Sequence, residues 1–163
     1  MPASDPTEIL LAFDLWATRE ILDACSELTP AQLDQKFEIG PGSLRATLTH
    51  IIGAMRRWTD QLAGRELRDR IELDGQVRGP AELTSLLEEA AADFAAAVRA
   101  HPPSGIVSRT LHGKEYSFTR GAVFTHVMTH GVHHRAQCLN MLRHLGVAPL
   151  PPSSVTEWTF AVG

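Results

Sequence analysis

The chain has 163 residues, enough for one domain, residues 1–163, with a real core, and 44% of them are hydrophobic against 21% charged. Those globular values exclude a disordered or collagen-like chain, and no apolar run approaches the ~18 residues of a membrane span. A net charge of −4 argues against a protein that holds nucleic acid by electrostatics.

The opening Met1-Pro2-Ala3-Ser4-Asp5 has no basic or apolar leader segment, so no signal peptide is expected there. Asp5-Pro6-Thr7-Glu8 announces a first helix, with Asp5 as cap and Pro6 at its first position. Leu10, Phe13, Ala17, Ile21, Ala24 and Leu28 then follow a helical period, and Thr29-Pro30 ends it. Ser43 caps a second helix whose buried face carries Leu44, Leu48, Ile51, Ile52, Met55, Trp58 and Leu62, and Gly64 stops it. Arg65 to Arg78 is mostly polar and reads as a connection. Gly79-Pro80 opens a third helix with Leu83, Leu86, Leu87, Ala90, Phe94, Ala97 and Val98 on its stripe, and His101-Pro102-Pro103 closes it. Ile106 to Leu111 and Glu115 to Phe118, around His112-Gly113-Lys114, read as a hairpin. Thr119 caps a fourth helix reaching Leu145, before Gly146. Three prolines follow, and Val155 to Phe160 is expected to pack back on the body. The fold class is therefore all-α, a four-helix bundle with a short β-hairpin between the third and fourth long helices. Cys25 and Cys138 lie far apart in the chain, which suits reduced thiols and a cytoplasmic location.

The histidines carry the chemistry. Four of the eight, His126, His130, His133 and His134, fall within nine residues. A step of four residues turns a helix by about 400°, so His126, His130 and His134 share a face. His126 and His134 are ~12 Å apart along the axis, too far to share one ion easily. His126/His130 and His130/His134 at i, i+4, and His130/His133 at i, i+3, are each spaced to grip an ion with bonds of ~2.0–2.1 Å. A further ligand must come from another helix, and His50 precedes the apolar Ile51-Ile52 pair, where an inward imidazole without a partner is costly. Three neutral imidazoles leave a coordination position for water or substrate, the layout of a catalytic site. Because the rings must be neutral, affinity is expected to fall as pH drops through ~6.5. His101 and His112 read as surface residues, and His144 suits the negative end of its helix.

At these residues the sequence resembles a known family, the DinB-like (damage-inducible) proteins and their thiol-transferase relatives. The resemblance lies in Ser43-Leu44-Arg45-Ala46-Thr47-Leu48-Thr49-His50-Ile51, in Trp58 and Leu62-Ala63-Gly64, and in His126 through Gly146. It implies metal ligation by His50, His130 and His134. It also implies a four-helix bundle of unusual connection order, a homodimer, and a divalent metal such as zinc or nickel. The family usually has glycine after the His-Arg step, and here Ala136 stands there.

The function expected from this is divalent-metal binding in a metal-dependent enzyme, a thiol S-transferase or hydrolase. It would act on a small-molecule substrate, with a low-molecular-weight thiol as cosubstrate. The alternative is a non-catalytic metal-binding or stress-response interaction protein. Arg135 reads as part of a solvated helix face, with an anion contact as the other option. Gln137 reads as a neighbour of His134 or as a link between helices, and Cys138 as packing. Glu20, Asp23 and Asp60 qualify as general bases only if they face the site. Trp16, Trp58 and Phe94 offer apolar surface for the homodimer, and neither nucleic acid nor membrane is expected as a partner.

Overall fold

Asp5 stands just ahead of helix α1, Pro6–Cys25, and its Oδ1 accepts from the amides of Thr7 and Glu8 at 2.8 and 3.2 Å. The computed structural model describes residues 4–163, so the first three residues of the leader-peptide reading lie outside the described residues. Thr29 caps a four-residue helix α2, Pro30–Leu33, and Gln32 returns the bond as in a capping box. Thr29-Pro30 thus begins a helix as well as following one, because proline fits the first turn, where no amide is needed.

Helix α3, Leu44–Ala63, is capped by Ser43 and ends at Gly64, whose φ of 64° lies in the left-handed region. A strap, residues 65–79, leads to α4, Pro80–Arg99. Strands β1, Ile106–Leu111, and β2, Lys114–Thr119, pair antiparallel from Ile106 with Thr119 to Leu111 with Lys114. The turn between them is His112-Gly113, with φ of 50° and 76°, the double positive that a two-residue hairpin turn needs. Helix α5, Arg120–His144, is capped by Thr119, and α6, Val155–Val162, by Ser154.

In the bundle α3 lies against α4 and α5, and α1 lies against the same two helices. Around the ring the order is therefore α1, α4, α3, α5. The chain crosses a diagonal twice, from α1 to α3 through α2 and from α4 to α5 through the hairpin. The expected fold class is the one observed, with α2 and α6 as short additions.

The interior holds Ile52, Leu87, Phe94, Met141 and Leu142, all at 0% exposure. Each large apolar side chain taken out of water stabilises by about 1.5–3 kcal/mol. Phe94 stacks on Phe124, so it belongs to the core and offers nothing to a dimer surface. On one flank α6 buries Trp158 against Phe13 and Ala17, which is the predicted return of the chain end. No helix among the described residues is long and apolar enough to cross a membrane.

Candidate metal centre

His50 sits on α3 between Thr49 and the buried Ile51, and His130 and His134 sit one turn apart on α5, the helix beside it. The crossing of α3 and α5 brings one nitrogen of each ring within 4.8 Å of the others. The Nε2 atoms of His50 and His130 are 3.0 Å apart, and the rings of His130 and His134 have centroids 4.4 Å apart. All three rings are half-buried. The structure thus groups His130 with His134. His126, one turn earlier, is exposed and leans on Trp58 at 5.2 Å between centroids. His133 is exposed and bonded to Gln137.

Two neighbours fix which nitrogen faces the cluster. Gln137 Oε1 accepts from His134 Nδ1 at 2.7 Å, which leaves the His134 Nε2 lone pair free, and Gln137 Nε2 donates to His133 Nε2 at 3.0 Å. Gln137 is therefore a neighbour of His134, one of the two options its position left open. Glu72 Oε1 lies 3.4 Å from His50 Nδ1 and, as an acceptor, favours the tautomer with its lone pair on Nε2. Glu72 comes from the strap, which the sequence marks only as a polar connection. The buried Ile71 beside it pins the strap to the core. Gly53 makes room: a Cβ there would lie 2.6 Å from Glu72 Oε2. That Oε2 is buried and has no hydrogen-bond partner.

Electrostatics favour the neutral form of the two α5 rings. Burial, then the neighbouring imidazoles of His134, His50, His126 and His133, depress the His130 pKa to about 3. Burial also lowers His134, against the opposing hydrogen bond from Gln137. The His130 proton is thus already displaced at pH 6.5, so this ring does not contribute to the loss of affinity expected there. Three imidazole nitrogens, with the His50 and His134 lone pairs set by Glu72 and Gln137, suit a divalent cation.

A hollow of about 240 Å³ opens on His50 and His130 and is also lined by Trp58, Glu72 and three arginines, Arg57, Arg70 and Arg109. A second hollow, of about 410 Å³, shares His50, Arg70 and Glu72 and extends toward Asp34 and Arg45. A cavity of about 160 Å³ near Val98 and Phe124 shares no lining residue with the histidine cluster. Of the candidate bases, Glu20, Asp23 and Asp60 line none of these hollows. Asp60, 1% exposed, is held by Arg65 and Arg68 at 3.1 and 2.9 Å.

Arg135 corrects both of its sequence readings. It is 4% exposed and paired with Asp14, itself 2% exposed, on α1. Its Nη1 also donates to Thr18 Oγ1 at 3.1 Å. Burial raises the Asp14 carboxyl against the pull of the guanidinium. Gly131 leaves the space, since a Cβ there would come within 2.4 Å of Asp14 Oδ1. Cys138 is fully buried, and burial pushes its thiol far above the usual range, as packing and not as a nucleophile.

The sequence profile of the DinB family matches residues 4–158. This chain belongs to the DinB family. Protein DinB of Bacillus subtilis is 23% identical over 159 residues, covering 87% of each chain. The crystal structure of a DinB-like protein from Bacillus cereus superposes with a TM-score of 0.68 at 17% identity, over 88% of this chain and 92% of that one. That likeness is one of fold. The ring order α1, α4, α3, α5, with histidines from α3 and α5 meeting between them, is how this DinB-family chain builds its candidate centre.

Proposed function

We propose that this chain binds one divalent cation, zinc or nickel, through His50, His130 and His134 and uses it as an enzyme on a small molecule. The reaction is S-transfer with a low-molecular-weight thiol, or hydrolysis. The observation that carries this reading is three imidazole nitrogens, drawn from two helices, within 4.8 Å of one another beside an open hollow. A closed structural site would surround its ion with four protein ligands.

Bound there, a divalent cation supplies Lewis acidity that makes a thiol or a water a stronger acid and nucleophile near neutral pH. The chain's own part is to hold the donors. Gln137 and Glu72 orient His134 and His50. Burial keeps His130 unprotonated. Ile51 and Ile52, next to His50 on α3, are buried and anchor that stretch of the helix in the core. Glu72 is the one carboxylate lining the smaller hollow, placed to accept a proton from a group entering it.

The test is elemental analysis of the purified chain, followed by assays with thiols and electrophiles and with hydrolysable esters and amides. About one divalent ion per chain and turnover that a chelator abolishes are expected. No ion after reconstitution overturns the reading, and an ion without turnover leaves a non-catalytic metal protein. The same reading has the chain act as a homodimer, so light scattering should give twice 17.8 kDa.

A further inference from the structure

The smaller hollow has an electrostatic imbalance. Three arginines reach it from three elements: Arg57 from α3, Arg70 from the strap and Arg109 from β1. They face one carboxylate, Glu72, whose Oε1 is 3.5 Å from Arg70 Nη2. Among the described residues neither Arg57 nor Arg109 has a carboxylate within salt-bridge distance. Arg45, Arg65, Arg68 and Arg78, on the same helix and strap, are each paired with an aspartate. Arg57 donates to the carbonyl of Arg68 at 2.6 Å. Arg109 lies over the Trp58 ring at 5.0 Å, and its Nε is buried without a partner. Burial, and then the charge of Arg57, make its guanidinium easier to deprotonate than usual.

Two like charges held close and partly desolvated cost free energy unless an opposite charge joins them. Trp58 supplies a flat wall against the Arg109 guanidinium, and a planar fork that no carboxylate among the described residues pairs is suited to a carboxylate or phosphate oxygen. His50 and His130 line the same hollow, and His50 stands seven residues, about 10 Å of helix rise, before Arg57 on α3. We infer that the hollow bounded by Arg57, Arg109 and Trp58 is the binding subsite for the anionic end of a small substrate, a carboxylate or phosphate group, whose other end reaches His50 and His130. As a statement about substrate class this rests on the proposed metal-dependent function. As a statement about anion binding it does not.

The size is consistent with this role. About 240 Å³ accommodates a short acid arm. The inference also replaces Arg135 as a candidate anion contact, since that residue is consumed by Asp14.

The experiment titrates the full chain with succinate, with inorganic phosphate, and with uncharged succinamide. Calorimetry at low ionic strength gives the affinity, and the Trp58 indole N–H resonance reports the location. Both the protein as purified and the chelator-treated protein are used, with metal content measured in each. Succinate or phosphate should bind and shift the Trp58 signal, while succinamide should not. Whichever of the two anions binds more tightly identifies the acid group. Arg109→Gln, which removes the stacking on Trp58 but no side-chain hydrogen bond among the described residues, should weaken binding about tenfold or more with metal content unchanged. Arg109→Lys should keep more of it. Binding of neither anion above succinamide, or wild-type affinity in Arg109→Gln, overturns the inference. Anion binding in a protein that takes up no metal would sink the enzyme reading and leave the subsite standing. Metal uptake without anion binding would do the reverse.

Discussion

Glu72 Oε1 faces His50 Nδ1 at 3.4 Å across the gap between the strap and α3. A carboxylate behind a ligating imidazole fixes its tautomer and raises its basicity, and loss of such a partner typically costs 10–100-fold in metal affinity. Glu72→Ala should therefore weaken cation binding by about that factor, measured by competition with a chelating dye. Glu72→Gln, which still offers an acceptor oxygen, should lose less. Equal affinity in all three proteins would show that His50 is oriented by packing alone.

The ligand set itself is tested by single replacements. His50→Ala, His130→Ala and His134→Ala should each remove most of the bound ion, because two imidazoles alone hold a divalent cation poorly. His126→Ala and His133→Ala should cost much less, since both rings are exposed and lie outside the cluster. Loss of the ion in His126→Ala with retention in His134→Ala would move the site one turn toward the start of α5.

The helices are legible in the sequence because each carries its own punctuation. Asp5, Ser43 and Thr119 cap, and Gly64 and Gly146 stop. By spacing the histidine pair is legible only as a set of alternatives, since a drift of about 40° per turn leaves His126, His130 and His134 on one face, and it is the family resemblance that names His130 and His134. The choice among them is made where α3 crosses α5, and periodicity holds no record of that crossing. Glu72 is hidden for a related reason: the strap has no period, and the faint signals are a lone buried Ile71 beside it and a glycine, Gly53, inside a helix. Arg135 misleads because charge normally means solvent, and its partner lies 121 residues back in the chain.

The Arg135–Asp14 pair makes a stability prediction. Removing one member of a buried ion pair strands the other and typically costs 3–5 kcal/mol, whereas replacing both by apolar groups is often close to neutral. Arg135→Met should lower stability by about 3–5 kcal/mol in urea unfolding, and Arg135→Met with Asp14→Leu should lower it by less. The two effects are coupled because Nη1 contacts Asp14 and Thr18 together. A single replacement costing under about 1 kcal/mol would mean that water reaches the pair.

The last prediction is a pH dependence of the metal-free chain. His130 titrates at about 3 in the fold, against an ordinary value near 6.5 when unfolded. Between those values the unfolded chain carries a proton there and the folded chain does not. Stability therefore rises with pH across the window and is lost as pH falls from about 6.5 toward 3. His134, also lowered, adds in the same direction. The slope from His130 is at most about one proton, and solvent screening of the half-buried ring reduces it. Asp34 and Asp93, lowered by their bonds to Arg45 and Arg65, titrate below the ordinary aspartate range and stay out of the interval from pH 6.5 to 5, while Asp14, raised by burial, acts in the opposite sense to the imidazoles, so the comparison with His130→Leu and not the slope alone carries the test. In chelator, the urea midpoint should fall between pH 7 and pH 5, and His130→Leu should flatten that fall. Parallel slopes in the two proteins would show that the cluster relaxes enough to accept the proton, and with it that α3 and α5 do not hold the three rings together in the absence of metal.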